Sequence, residues 1–439
     1  MNSSSTFKSI LYLFSFGILV SYFLGFYLDE NSVGGGGYNG DLSWILKNIN
    51  IFKENKITDA ILHKDLFGNR TPLIYVLNTY LNPFFFEVEN YRRSVFILSL
   101  LGPVILFFTL KLKFKDTDLS IILLLSLIIL LSPFYRTSAY WSLNENYGII
   151  TFIASFLTLN LFTFQPEHRR IKKYFYLFLT ITISSLTVYF DQKFILAPII
   201  IFLTIFFKSK EIKIKIFTIV LYLIYSLPFL YLVFRWGGIV PPSSQAANSN
   251  TITSIGRITD LYLNHIGYAS TMIALYLLPL LFFFREKTFF LKKKNFLIKN
   301  FQLTILLPLV YIFFIYVFYD FNLYTGKDYW IGFGFIHKLS IIFFDNLLMR
   351  EFFTYISFLI SWMIISLYLE KNFQDYLIVL YFFTLSILLW PLMQEYFDPA
   401  VLLVSLFVFK TKLKLNYNNT LFLALYFTMF LIGSNLYYQ

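Results

Sequence analysis

Cysteine is absent from all 439 residues, histidine occurs four times, and charged residues make up only 14% of the chain. Without cysteine there can be no disulfide, no thiolate metal site and no cysteine nucleophile. The histidines, His63, His168, His265 and His337, include no pair three or four residues apart, so a His-based metal site on one helix is excluded. The shortage of charge excludes more. Soluble globular domains are roughly a quarter charged, whereas this chain combines its low charge with a mean hydropathy of +0.66. Such a composition belongs in a bilayer. No long soluble domain and no internal repeat interrupts it.

What is present is apolar and aromatic: 58% hydrophobic residues, with 56 Phe and 33 Tyr. Apolar runs near spanning length, about 20 residues, fall at 8–28, 94–114, 117–134, 147–164, 174–190, 193–207, 216–235, 262–284, 301–320, 351–369, 375–391, 399–409 and 419–437. These thirteen predict an all-α polytopic membrane protein forming a single transmembrane domain over residues 1–439. The first run lacks a small-residue cleavage site and continues into an acidic segment, which reads as an uncleaved helix.

The net charge of +12 is not a nucleic-acid signal, because the basic residues fall in short loops between apolar runs. One set of loops, comprising Lys8, 111–115, 168–173, 208–215, 285–299, Lys371 and 410–414, holds 22 of the 36 basic residues, and even with the flanking Asp116, Asp118, Glu167, Glu370 and Asp375 only 7 of the 24 acidic ones. By the positive-inside rule that set and the N-terminus are cytoplasmic. The opposite loops are longer, 29–93, 135–146, 236–261 and 321–350. Long loops carried on a rigid scaffold are where chemistry is expected.

The first of them opens "DENSVGGGGYNGDLSWILKNI", residues 29–49. Gly34–Gly37 permit a sharp turn. Asn39 or Asp41 then reads as the cap of a helix whose apolar positions Leu42, Ile45, Leu46, Ile49 and Phe52 follow helical spacing. Trp44 and Lys47 suit a helix lying along the membrane interface. A second short amphipathic piece is expected near 57–66. The segment 67–85 is too short to span and has Pro at both ends, so it reads as interfacial or re-entrant.

With the acidic residue ahead of that interfacial helix, "RTPLIY" (70–75) and "YRRSV" (91–95), the chain resembles the GT-C superfamily of polytopic glycosyltransferases, in particular its bacterial mannosyltransferase-like, family 39-like branch. "LSPFYRTSAYWSLNENYGI" (131–149) is similar to that branch's second outer loop, and "YFDQKFILAP" (189–198) to the hairpin between its fifth and sixth helices. "FRWGGIVPPSS" (234–244) resembles a loop of the dolichyl-phosphate-glucose-dependent α-1,2-glucosyltransferases, and "QEYFDP" (394–399) has a counterpart in related bacterial sequences. One departure is plain: a glycine insert separates the acidic pair Asp29-Glu30 from Asp41.

The resemblance implies a GT-C-like fold in a bacterial inner membrane, with its active site on the periplasmic face. It implies an inverting transfer of a sugar from a polyprenyl-phosphate donor to a cell-envelope glycan or lipid acceptor. Such chemistry needs a carboxylate within about 3 Å of the acceptor hydroxyl as general base, and cations that stabilise charge on the leaving phosphate. Asp41 is the first choice for base, with Asp29 and Glu30 as alternatives. Arg70, Arg136, Lys193 and Arg235 are the candidate phosphate ligands, with Arg257 behind them. Trp44, Trp141 and Trp236 are candidates for stacking on sugar rings, and Glu145 for binding acceptor or metal. His265 reads as a packed helix-end residue. No cofactor is demanded; isolated carboxylates suit Mg²⁺ or Mn²⁺, but no spacing calls for either, so metal dependence stays open. Two other readings share the lipid substrate: a transporter or flippase of lipid-linked sugars, and an O-antigen-type polymerase. The absence of repeats argues against the first, and the large loop directly after the first helix against the second.

Overall fold

In a computed structural model, residues 3–33, 37–68, 70–166, 169–249, 261–283, 302–319, 321, 332–369, 373–389, 391–409 and 413–438 are described. The chain is 80% helical, and no strand occurs among the described residues. Each of the thirteen apolar runs contains helix among its described residues. Helix satisfies every internal N–H and C=O within the segment, a requirement that hydrocarbon surroundings impose. Six helices among the described residues are long and apolar enough to cross a membrane: Ser5–Tyr27, Val88–Lys113, Asn144–Thr163, Ile212–Trp236, Leu347–Tyr368 and Tyr417–Tyr438. A seventh candidate is a pair, Leu119–Leu131 and Pro133–Tyr140, bent by 68° at Ser132. The chain is therefore a helical, multi-pass membrane protein. Shorter apolar helices of 10–17 residues are His265–Leu281, Thr304–Phe318, Gly334–Phe343 and Gln374–Leu388.

The helices group into two compact units, 1–251 with 427–439, and 252–426. In the first unit the order is α1 (Ser3–Tyr27), α2 (Ser43–Glu54), α3 (Leu73–Leu81), α4 (Val88–Lys113), α5 (Leu119–Leu131), α6 (Pro133–Tyr140), α7 (Asn144–Thr163), α8 (Arg170–Phe190), α9 (Leu196–Lys208), α10 (Ile212–Trp236) and α11 (Pro242–Ser249). The antiparallel pair α7 and α8 forms its centre. Gly148 lets the turn after α8 come close, since a Cβ there would stand 2.8 Å from the Phe194 ring. Tyr147 stacks on Phe190 across the two helices, with ring centres 5.4 Å apart.

The first loop is built as two short helices packed on each other. Helix α2 turns Ile45, Ile49 and Phe52 inward, with Asn48 on the same stripe. Helix α3 has nine residues, about 14 Å at 1.5 Å per residue, which is too short to span. The second amphipathic piece is helical only over Ile57–Ala60.

The second unit is centred on His265–Phe283, which packs against Leu347–Tyr368 and Phe373–Leu388. Its interior is aromatic: Tyr268 meets Phe333 and Phe358 edge-on or tilted, at 4.6 and 5.0 Å between ring centres.

Candidate functional site

Asp41 does not cap α2. Residues Tyr38–Leu42 form a π-turn that leads into the helix, and no side chain caps α2. The turn is held from the other direction, by the Ser43 hydroxyl donating to the carbonyls of Gly40 (2.7 Å) and Asn39 (3.1 Å). Gly37, at φ 52°, takes the left-handed conformation that begins the turn, with the Trp141 ring 3.2 Å from where a Cβ would stand. Gly34–Gly36 lie outside the described residues. The capping expectation fails because the π-turn brings the Asp41 carboxyl round toward the charged groups of other elements. Burial pushes its pKa up to about 6, with the Glu145 carboxylate adding to the rise and the Arg70 guanidinium opposing it.

Arg70 arrives on a loop pinned along its length. Asn48 clamps Phe67 at both backbone groups, donating to its carbonyl at 2.6 Å and accepting from its N–H at 3.3 Å. Ser244 does the same for Gly68, at 3.0 and 2.9 Å. Ser243 donates to the Leu66 carbonyl, Thr71 to that of Tyr189, and the Trp236 indole to that of Ile61 at 2.7 Å. The signal for Asn48 in the sequence is a polar residue on the apolar stripe of α2.

Arg70 pairs with Glu145 and lies 3.9 Å from Asp191. Glu145 sits in the first turn of α7, directed there by Ser142 at φ 58°. The helix N-terminus favours a negative charge at that position. Asp191 closes α8 and takes the N–H of Lys193 at 3.1 Å. Its Oδ2 is 3.2 Å from Lys193 Nζ, an ion-pair contact outside hydrogen-bond geometry. Tyr75, from α3, is buried near Asn48 and Asn144 at the edge of this group. Five elements of one unit thus bring together Asp41, Arg70, Glu145, Asp191 and Lys193. Asp191 was legible only as a neighbour of Lys193, and Tyr75 and Asn144 carried no sequence signal as site residues.

Glu30 and Arg136 have a different setting. Arg136 is 1% exposed, and its five N–H donors meet five acceptors: both Glu30 oxygens, the Ser21 hydroxyl and carbonyl, and the Leu130 carbonyl. The last of these is a carbonyl near the 68° break, where the helical ladder is interrupted. Glu30 also accepts from Ser32 and, at 3.4 Å, from Asn435. Gly25 makes the room, since a Cβ there would collide with the Glu30 carboxylate, the Arg136 guanidinium and the Tyr140 hydroxyl. The geometry gives Arg136 and Glu30 a structural task.

Asp29 pairs with Arg92 at 2.7 Å. Arg92 in turn lies over the Trp141 ring at 4.3 Å, and the Trp141 indole donates to the Glu30 carbonyl at 3.2 Å. Trp141 and Trp236 are buried by these duties, whereas Trp44 is 47% exposed beside Phe67. Arg235 is exposed at the end of α10. His265 opens its helix fully buried, with Nδ1 3.0 Å from the Ser386 carbonyl. Arg257 lies outside the described residues. No group of three or more His, Asp or Glu is placed to hold a metal ion among the described residues.

The cluster has a carboxyl that changes charge near neutrality beside fixed cations. Such a pair can accept a proton from a hydroxyl while neutralising an anionic leaving group. No protein-family model, curated protein or solved structure matches this chain.

Proposed function

We propose that this chain is an inverting glycosyltransferase with a GT-C-like arrangement of thirteen spans. It would take sugar from a polyprenyl-phosphate donor in a bacterial inner membrane and pass it to an acceptor, glycan or lipid, on the periplasmic side. The observation that carries the reading is Asp41: a carboxyl freed from helix capping, with its pKa pushed up to about 6, beside Arg70. A general base works best when its pKa lies near the operating pH. In this reading Asp41 takes the proton of the acceptor hydroxyl as that oxygen attacks the anomeric carbon. Arg70 and Lys193 meet the phosphate that leaves on the far side, which inverts the anomeric centre. Arg136 is already saturated and takes no part in the clamp. Arg235 and Trp44, both exposed, are left as the outer candidates for donor phosphate and sugar.

The test is transfer in proteoliposomes. The purified chain, given polyprenyl-phosphate sugars and an envelope extract as acceptor, should form a new glycosidic bond of inverted configuration. Asp41→Asn should not. Equal transfer by both would sink the assignment.

The bent pair at Ser132 favours a second reading. A broken helix with a buried charge beside it is a feature of transporters, and Arg136 sits one turn beyond the break. A flippase would move the lipid-linked sugar across the same liposomes without forming any bond, which the same assay separates.

A further inference from the structure

We propose that Glu145 holds the acceptor through a second hydroxyl, beside the one that reacts, so that the acceptor is a polyhydroxylated sugar and not a lipid alcohol with a single polar group. The inference rests on Asp41 being the base. It starts from the two oxygens of one carboxylate. Oε1 of Glu145 is engaged by Arg70. Oε2 is buried with no hydrogen-bond partner, in a residue only 8% exposed. Buried polar side-chain atoms in folded proteins are bonded in the large majority of cases, so an oxygen left open at this depth marks a place where a donor belongs.

Its surroundings say which donor. Glu145 is fixed on three sides: by the left-handed turn at Ser142, by its place in the first turn of α7, and by Arg70. It cannot swing away to find another partner without giving up the guanidinium. Asp41 lies close enough for the two carboxyls to repel each other. A carboxylate paired with a guanidinium accepts at both oxygens, so the group that completes Glu145 brings an O–H or N–H. A ligand reaching Asp41 with its reacting hydroxyl comes within range of Glu145 only if it carries a further donor nearby. Sugar rings do, since their hydroxyls stand on adjacent carbons. A long-chain alcohol has one hydroxyl, which Asp41 would occupy. The two carboxyls thus divide the work: Asp41 takes the proton from one hydroxyl, and Glu145 fixes the ring by another.

The experiment is a functional-group cycle in lipid nanodiscs holding the full chain. Binding is measured by saturation-transfer NMR for methyl glycosides of glucose, mannose and galactose, for their monodeoxy analogues, and for 1-hexanol. The same sugars on a hexadecyl chain, placed in the nanodisc, tell a lipid-borne acceptor from a free glycan by which form binds more tightly. For the wild type, one deoxy position should weaken binding roughly 10-fold, the effect of about 1.4 kcal/mol of lost hydrogen bonding. In Glu145→Gln the parent sugar should bind as weakly as that deoxy analogue, and the deoxy penalty should fall below about twofold. A penalty that is unchanged in Glu145→Gln overturns the proposal, as does equal binding of 1-hexanol and the sugars. Should Glu145→Gln not fold, equal binding of every monodeoxy analogue by the wild type overturns it as well. Failure of the base reading looks different: Asp41→Asn would keep transferring while the deoxy penalty still depended on Glu145.

Discussion

Two charged clusters lie in the same unit of this protein and are built from the same residue types, yet one is closed and the other open. At Glu30–Arg136, every donor of the guanidinium has an acceptor, and Gly25 gives up its side chain so that the pair fits. At Asp41–Arg70–Glu145–Asp191–Lys193, negative groups outnumber positive ones. A carboxylate oxygen is buried without a donor, and one carboxyl is held near neutral pKa. Saturation distinguishes the two better than burial or charge does. A cluster with nothing left to bond supports the fold, while a cluster with open valences can take a ligand.

The sharpest way to break this comparison is Asp41→Asn. The shape is kept, and transfer should fall by roughly 10² to 10⁴, the usual contribution of general base catalysis. Purified variants assayed in proteoliposomes at pH 7.5, a pH chosen about 1.5 units above the Asp41 pKa, would show it. Full activity in that variant, with Asp29→Asn or Glu30→Gln dead, would move the chemistry to the closed cluster.

On the closed side, Arg136→Met should act on folding. It leaves the part-buried Glu30 carboxylate without its cation, and removing one partner of a fully buried pair typically costs about 3–5 kcal/mol, which sets the upper end of the loss. Thermal unfolding in detergent should drop steeply. A variant as stable as the wild type but unable to use donor would return Arg136 to the phosphate clamp.

The two clusters were not equally legible in the sequence. Apolar runs announce helices because a bilayer allows little else, and all thirteen contain helix among their described residues, though six or seven are long and apolar enough to cross a membrane. The amphipathic stripe announced α2. Its start was misread, because Asn39-Gly40-Asp41 looks like a cap and only the structure shows Ser43 reaching back to close a π-turn. Pairings across the fold left no trace: Glu30 and Arg136 are 106 positions apart, and Arg70 and Glu145 75. Trp141 is a candidate for stacking on sugar or for the interfacial belt in the sequence, because an aromatic in a loop is ambiguous. Its hydrogen bond to the Glu30 carbonyl and its contact with Arg92 give it a bracing role.

A smaller effect is expected at the cations of the open cluster. Arg70→Gln or Lys193→Gln removes one charge-assisted contact to the donor, worth about 1.5–3 kcal/mol, or roughly 10- to 100-fold in donor use. Because the Arg70 side chain is a third exposed while Glu145 and Asp191 beside it are buried, Arg70→Gln should also lower stability, though by less than Arg136→Met does. Donor titrations beside melting curves would separate the two quantities. The opposite pattern, lost stability with intact donor use, would make the open cluster as structural as the closed one.

The smallest effect is also the one that tests the electrostatics of Asp41 alone. Its folded pKa is raised from the ordinary 3.8 to about 6, so the fold disfavours the charged form. The stability linked to this group is fully present below pH 3.8, where the carboxyl is protonated folded or unfolded. It is lost as pH rises through about 6, because the unfolded chain sheds the proton first. Asp41→Asn cannot ionise and escapes that loss. The variant should therefore match the wild type near pH 4 and exceed it above pH 6. The gain should be about 1 kcal/mol once the partial exposure of the carboxyl is allowed for. Melting curves of the two proteins across pH 4–8 would show the gap opening between those limits. The wild-type rate should rise over the same interval, as the base form appears. A gap that stayed constant with pH would mean that Asp41 titrates normally, and the open cluster would lose its claim to a base.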